Sequence, residues 1–367
     1  MSANIVHIIP TLDRGGAERI VVDLLKHLDR TRFSPSLITL TSIGALCDEI
    51  EAAGISHASL NASPLRGAFL VNRLSREIAL RKPAVVHTHL FGGDAWGIRA
   101  AVKAKVPRII TTEHNVNRDE SRARRIIKAR ALREVTRLIA VSTAVARFAH
   151  ETYGVPEDKI TVIPNGVDVA RYVRERRDDQ KFRIGAIGRL EEQKGLRFLI
   201  EALPLLPDRD WQCVIVGEGS QKQKLEALAR KSNVSDRVQL VGGRADIPAL
   251  LATFDVLVTP SLWEGQGIVL LEAGAAGVPV IASRVDGIAE MLAGKEAALL
   301  TAPGDSRGIM LAIRWVREHE EAAAAMAARW KKMVEKEYTI EKMVQRYEAV
   351  YHDVISSESA NREISQP

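Results

Sequence analysis

Cysteine is nearly absent from this 367-residue chain: Cys47 and Cys213 lie far apart, with neither CxxC nor metal-ligand spacing. That excludes a disulfide framework and leaves two buried, reduced thiols as the expectation, in keeping with a cytoplasmic compartment. Aromatic residues are sparse too, at 5%, and no RNP-like, zinc-finger or helix-turn-helix pattern is present. Nucleic acid is therefore not an expected partner, although the net charge is +6. No apolar run approaches the ~18 residues of a membrane-spanning helix. The N-terminus, "MSANIVHIIPTLDRGG", has no basic region of a signal peptide. A protein neither secreted nor integral to a membrane is expected.

What the chain does have is the composition of a globular protein, 46% hydrophobic and 27% charged, at a length that favours two domains. Short β-branched runs alternate with helical patterns: "NIVHIIP", "SPSLITL", "PAVVHTH", "RIITTEH", "RLIAVS" and "ITVIPNG", then "FRIGAIGRL", "QCVIVGEG", "VQLVGG", "DVLVTPS", "VPVIASRV" and "AALLTAPG". Continuous apolar strands separated by helices predict parallel sheets covered on both faces. The expected fold class is α/β, two Rossmann-like doubly wound domains facing a central cleft. Residues 1–170 and 182–339 would form the domains, with the polar stretch 171–181 as linker and a C-terminal helix near 340–356 returning to the first domain. Ligands of such sheets bind outside the carboxyl ends of the strands.

Several motifs fall at those ends. After the first strand, Gly15 and Gly16 precede a helix, where free N–H groups either greet a phosphate or merely close a turn. Arg189 and Lys194 flank the first turn of the second domain and suit a pyrophosphate, or are simply solvated cations. In "SLWEGQGIVLLEAGAAG", Glu264 sits beside Gly265 and Gly267, and Glu272 lies about two turns into a helix beginning near Gly267. A carboxylate in so apolar a run needs hydrogen-bond donors, either ribose hydroxyls or backbone N–H groups. Trp263 either packs that loop or lines a sugar site.

The stretch "SRARRIIKARALREVTR" reads as a basic helix over 121–137 with an apolar side. Its Arg122, Arg124, Arg125 and Lys128 are candidates for an anionic membrane surface, the alternative being an outer helix packed on the sheet. His87 and His89 alternate at a strand end without a carboxylate or cysteine at ligand spacing, so hydrogen-bonding histidines are preferred and no metal is assigned. Ser142 lacks the G-x-S-x-G elbow and reads as a helix cap.

Taken together, "GGAER", "TTEHN", "VIPNGVD", "GRLEEQKG", "VGEG", "DIPALLATFDVLVTPS" and "EGQGIVLLEA" occur in one order along nearly the whole chain. In this the sequence resembles the retaining nucleotide-sugar glycosyltransferases of family four, with their E-x(7)-E signature and fold of GT-B type. The resemblance implies that Glu272 takes the ribose hydroxyls and Glu264 the hydroxyls of the transferred sugar. It gives the diphosphate to Arg189, Lys194 and the backbone of Gly16, beside Gly15. It places Gly243, Arg244 and Ile247 along the nucleobase, Gly265, Gln266, Gly267 and Ile268 around the donor, and His114 at the sugar and reacting centre. Asn165 and Asp168 would join the domains, Asp168 as a structural residue. One departure stands out: position 266 is Gln where the family often has Phe, which puts the donor's identity in question.

The implied reaction moves a sugar from a nucleotide-diphosphate sugar to a glycan or lipid-linked acceptor, with retention and with no cofactor or metal. The chain would work in cell-surface polysaccharide or glycolipid synthesis, in the cytoplasm or on the inner face of the membrane. Arg189, Lys194 and helix N–H dipoles would stabilise the departing diphosphate, and domain closure would exclude water. A nucleotide-sugar epimerase or hydrolase, or a non-catalytic nucleotide-sugar-binding protein, would use the same architecture.

Overall fold

A computed structural model describes residues 2–62, 67–172, 181–208 and 210–363, excepting the side chains of 67, 68 and 358–363. Residues 173–180 of the expected linker lie outside the described residues. The chain forms two compact units, one of residues 1–165 with 340–367 and the other of residues 166–339.

In the first unit the apolar runs form β1 (Ala3–Ile9), β2 (Phe33–Thr39), β4 (Val85–His89), β5 (Ile109–Glu113), β6 (Arg137–Ala140) and β7 (Ile160–Val162), joined by β3 (Ser56–Ser59). They make a parallel sheet in the order β3-β2-β1-β4-β5-β6-β7. β3 was not expected: "SHAS" lies at the sheet's edge, is not fully buried, and so carries no apolar run for a pattern to register. Both faces of the interior strands are covered: all five residues of β4 (VVHTH) and of β5 (IITTE) are buried, the polar residues of their carboxyl-terminal halves included. Strand order reverses between β1 and β4, and the first turn, with Gly15 as N-cap of helix Gly16–His27, opens at that point.

The helix Ile340–Glu363 belongs to this unit. Glu348 accepts the backbone N–H of Asp29 at 2.8 Å, and Arg108 donates to the carbonyl of Ile355 at 3.0 Å. Tyr347 and Tyr351 from the same helix are buried. The sequence boundary after residue 170 is displaced to 165/166. Val167 donates its N–H to Tyr338 at 2.9 Å and packs with Tyr172 in the core of the second unit, which draws 166–172 into that unit.

The second unit repeats the plan with β8 (Phe182–Ile187), β9 (Trp211–Val216), β10 (Val238–Leu240), β11 (Val256–Thr259), β12 (Val280–Ser283) and β13 (Leu299–Thr301). All are parallel, in the order β10-β9-β8-β11-β12-β13, so the reversal lies between β8 and β11. Alternation divides the core: Val256 and Val258 pack on one face with Ile184, Ala186 and Ile281, while Leu257 packs on the other with Val280 and Ala282. Helix Ile268–Ala276 is buried on every side from Val269 to Ala276, which suits its apolar residues and leaves Glu272 as its one charged group. Trp330 closes over it, donating its indole N–H to the carbonyl of Leu270 at 2.7 Å.

The cysteines part company. Cys213 is buried in β9, where burial pushes its thiol up to about 12. Cys47 is only half-buried and bonds Glu51 at 3.2 Å, because it opens a short surface helix, Cys47–Ala52; its expected burial is not found.

Candidate active site

The second unit gathers most of the residues expected to hold the donor at the carboxyl ends of β8 and β11, the two strands flanking its reversal. After β8 the chain passes Arg189 and a short turn, Glu192–Lys194, before helix Leu196–Ala202. Gly195 joins them at φ +59°, with its α-carbon so close to the carbonyl of Pro260 that a methyl there would lie 2.1 Å from the oxygen. Only glycine fits, and the fit clamps the β8 loop to the β11 loop. Gln193 makes the second clamp: buried, it donates to the carbonyl of Trp263 at 3.0 Å, and its own carbonyl accepts from Leu262 at 2.8 Å. Its side-chain oxygen accepts from the exposed Arg189 at 3.2 Å.

Across the clamped loops Lys194 forms an ion pair with Glu264, whose carboxylate also accepts from Ser261 at 3.4 Å. Gly267, at φ +78°, is the N-cap of helix Ile268–Ala276, and no side chain caps it. Glu272 is the fifth residue of that helix, one turn in rather than two, and accepts from the Tyr172 hydroxyl at 2.7 Å. Gly265 and Gln266 are buried in the same loop, and Ile268 is half-buried. The arrangement pairs a mobile cation and a planar one with two carboxylates beside a helix N-terminus, which suits a polyhydroxylated diphosphate.

The residues expected along the nucleobase stand apart. Gly243 donates weakly to Glu218 at 3.4 Å, exposed Arg244 is held by Asp246 at 2.7 Å within its own loop, and Ile247 starts helix Ile247–Ala252. None of these contacts reaches the Lys194–Glu264 pair. Asp168 caps the short turn Val169–Arg171, accepting from Ala170 at 3.2 Å, a structural role.

In the first unit, His114 follows β5 directly and is half-buried; its Nε2 lies 3.2 Å from Nδ1 of His89. His87 and His89 are hydrogen-bonded strand-end residues. His87 faces the Tyr351 hydroxyl at 2.7 Å and Thr112 at 2.8 Å, and His89 faces His7 at 3.1 Å. Burial pushes His7 and His114 down to about 3 and holds His87 and His89 well below the ordinary imidazole range, so all four rings are neutral. Among the described residues, ring nitrogens of His7, His87 and His89 lie within 4.8 Å of one another and could gather about a cation, as could Cys47, Glu51 and His57.

Lys128 corrects an expectation. The basic helix spans only Arg122–Leu132, capped by Ser121, after which the chain turns into β6 at Arg137. Within it Lys128 is 2% exposed and points inward to Asp94 at 3.1 Å and to Glu113. It cannot meet a membrane surface. Asp94 also accepts from Thr88 at 2.8 Å and Thr111 at 2.5 Å, and Glu113 from Asn117 at 3.0 Å. Burial opposes the ammonium charge, but these carboxylates outweigh it and raise the lysine above its usual range. Arg122 and Arg124 remain exposed, and Arg125 is half-buried against the carbonyl of Arg118. Ser142 caps the next helix, accepting from Val145 at 3.2 Å.

Sequence reasoning missed Gln193, Tyr172, Asp94, Glu113, His7, Tyr347 and Tyr351. Gln193 lay inside the quoted "GRLEEQKG" and could have been found there; Tyr172, 100 residues from Glu272, carried no local signal.

Comparison with known proteins decides the family. Residues 172–333 match the glycosyl transferases group 1, and residues 14–171 match glycosyltransferase family 4. The glycogen synthase of Mycobacterium tuberculosis is 32% identical over 277 residues, covering 72% of this chain and 67% of that protein. The chain belongs to glycosyltransferase family 4. A second relative of this glycosyltransferase is the Escherichia coli UDP-Gal:alpha-D-GlcNAc-diphosphoundecaprenol alpha-1,3-galactosyltransferase, 29% identical over 309 residues, 77% of this chain and 79% of that one. Among solved structures, Anabaena Alr3699/HepE in complex with UDP-glucose superposes with a TM-score of 0.86 at 23% identity, covering 97% of this chain and 100% of that one. The family 4 transferase thus has the GT-B architecture of two Rossmann-like domains, and none of its described helices is long and apolar enough to cross a membrane.

Proposed function

We propose that this transferase moves a hexosyl group from a nucleotide-diphosphate sugar to a glycan or lipid-linked acceptor, with retention, in cell-surface polysaccharide or glycolipid synthesis. The observation that carries the donor reading is the Lys194–Glu264 ion pair, set with buried Glu272 at the carboxyl ends of β8 and β11. Support comes from relatives: one is named for transfer from UDP-galactose to a diphosphoundecaprenol-linked sugar, and HepE was solved with UDP-glucose.

In this reading Glu272 accepts from the ribose hydroxyls and Glu264 from the transferred sugar. Arg189 and Lys194 neutralise the diphosphate. The acceptor oxygen bonds to the anomeric carbon on the face from which the carbon–phosphate oxygen bond breaks, and the acceptor proton passes to the departing phosphate. Charge grows on that phosphate as the bond breaks, so cations held in advance act on the transition state more than on the ground state. No enzyme nucleophile and no metal is required. The first unit handles the acceptor, with His114 contacting a sugar hydroxyl. Exposed Arg122 and Arg124, beside exposed Ile126, are the surface proposed to meet anionic lipid.

A calorimetric titration with UDP, GDP and ADP sugars tests the donor site, repeated on Glu272→Ala. One nucleotide series should bind, and the variant should lose it; no binding at millimolar donor sinks the reading. Product analysis with a lipid-linked acceptor separates transfer from epimerisation or hydrolysis. Sedimentation with anionic liposomes, compared with Arg122→Glu/Arg124→Glu, tests the surface.

A further inference from the structure

Seven polar side chains of the first unit form one line of contacts. It runs from the Tyr347 hydroxyl to Thr112 Oγ1 (3.3 Å), to His87 Nε2 (2.8 Å), and from His87 Nδ1 to the Tyr351 hydroxyl (2.7 Å). From there it continues to His7 Nε2 (3.4 Å), from His7 Nδ1 to His89 Nε2 (3.1 Å), and from His89 Nδ1 to His114 Nε2 (3.2 Å). The planes of His7 and His89 lie within 9° of each other, with ring centroids 5.3 Å apart, and those of His89 and His114 are tilted by 38° at 5.5 Å. Six of the seven groups are at most 1% exposed, and only His114 reaches the surface.

Each neutral imidazole and each hydroxyl has one proton to donate, so the line can run in either of two directions. The buried end decides between them. Among the described residues the Tyr347 hydroxyl has no polar partner except Thr112, so a line running toward Tyr347 would strand its proton in the core, at a cost of about 1–3 kcal/mol. Running the other way, Tyr347 donates to Thr112, Thr112 to His87 Nε2, and His87 Nδ1–H to Tyr351. Tyr351 then donates to His7 Nε2, His7 Nδ1–H to His89 Nε2, and His89 Nδ1–H to His114 Nε2. Every buried donor is satisfied, and the remaining proton sits on His114 Nδ1.

We infer that Tyr347 and Tyr351, through Thr112, His87, His7 and His89, are positioning residues that fix His114 as its Nδ1–H tautomer. His114 Nε2 is spent inside the protein, and the ring offers its surroundings one N–H donor and no basic nitrogen. Such a ring donates to an oxygen, a sugar hydroxyl for instance, and takes no proton from an acceptor. This last step rests on the role proposed for His114; the tautomer does not. The same hydrogen bonds occupy the nitrogens of His7, His87 and His89, so a cation could bind there only by breaking the line.

Two-bond ¹H–¹⁵N correlation spectra of the full, ligand-free chain with ¹⁵N-labelled histidine read the tautomers directly. The expected result is a single Nδ1–H form for His114. Tyr351→Phe removes the donor to His7 and leaves His7 Nε2 against an apolar ring, where a bare basic imidazole nitrogen costs about as much as an unpaired N–H, unlike the weakly accepting phenol oxygen of Tyr347. The His7–His89–His114 segment can then run either way and should give a mixture of both tautomers. Thr112→Val cuts the line one step earlier and serves if Tyr351→Phe does not fold. Val350→Ala, on the same helix but outside the line, should leave the single form. A wild-type Nε2–H or mixed His114, an unchanged tautomer in the cut variants, or stoichiometric zinc binding that shifts the His7, His87 and His89 ring signals would overturn the inference. With donor and acceptor, halving the competent tautomer should lower kcat about twofold at little change in KM. A mixed tautomer with unchanged kcat would leave the relay standing and remove the role given to His114.

Discussion

The carboxyl ends of β4 and β5 in the first unit carry neutral buried imidazoles and a dry Lys128–Asp94–Glu113 cluster. Those of β8 and β11 in the second carry an exposed Arg189, a half-buried Lys194, buried Glu264 in a glycine-lined loop and buried Glu272 in the helix that follows. The parallel architecture is the same, but charge is handled differently. In the first unit it is consumed by partners supplied from other elements of the same unit. In the second Lys194 is paired too, with Glu264, but stays half-buried, and Arg189 is exposed in the loop after β8. Sheet topology therefore says where a site can lie, while the partners of each charge say whether it is available.

The sharpest way to break the comparison is to remove one lysine from each unit. Lys128→Met leaves two buried carboxylates facing each other without their cation and should destabilise the protein by about 3–5 kcal/mol, read as a lower denaturant midpoint. Lys194→Met leaves one buried carboxylate, Glu264, that the loop can still solvate, and should cost less stability than Lys128→Met while lowering kcat by roughly 10²–10³, the loss found when one transition-state donor is removed. If both variants lost stability equally, the distinction between consumed and available charge would fail.

Acid should also separate the units. His7 is held neutral to about pH 3 in the fold but titrates near 6.5 when unfolded. The unfolded chain therefore binds a proton that the folded chain refuses, so stability is present above pH 6.5 and is lost as pH falls toward 3, by about 1.4 kcal/mol per pH unit for each such ring. His87 and His89 shift in the same direction, whereas the one histidine of residues 166–339, His319, is exposed. Hydrogen exchange at pH 5 should show opening of the β1, β4 and β5 amides before those of β8 and β11. The smallest effect is expected at Tyr172→Phe, which removes one hydrogen bond to a carboxylate and should weaken donor binding by about 1.5–3 kcal/mol in calorimetry.

Reading depended on how far apart the partners lie in sequence. The strands and the E-x(7)-E stretch were legible because pattern and spacing are local, and β3 escaped because an edge strand needs no apolar run. The basic helix shows the limit: Arg122, Arg124, Arg125 and Lys128 are all cationic, and nothing in "RARRIIK" says that the last turns inward to Asp94 and Glu113.

By itself the sequence determined two parallel α/β units, the glycine-containing loops at the ends of β8 and β11 and the family, since each depends on short-range periodicity, glycine geometry and motif order. Tertiary structure alone decided that Lys128 is an interior ion, that Glu272 is held by Tyr172, and that a helix more than 230 residues downstream meets His87 and Thr112. The physical reason is that hydrogen bonds and ion pairs depend on distance in space, and burial, which sets both their strength and the protonation of the groups involved, exists only once the chain has closed on itself.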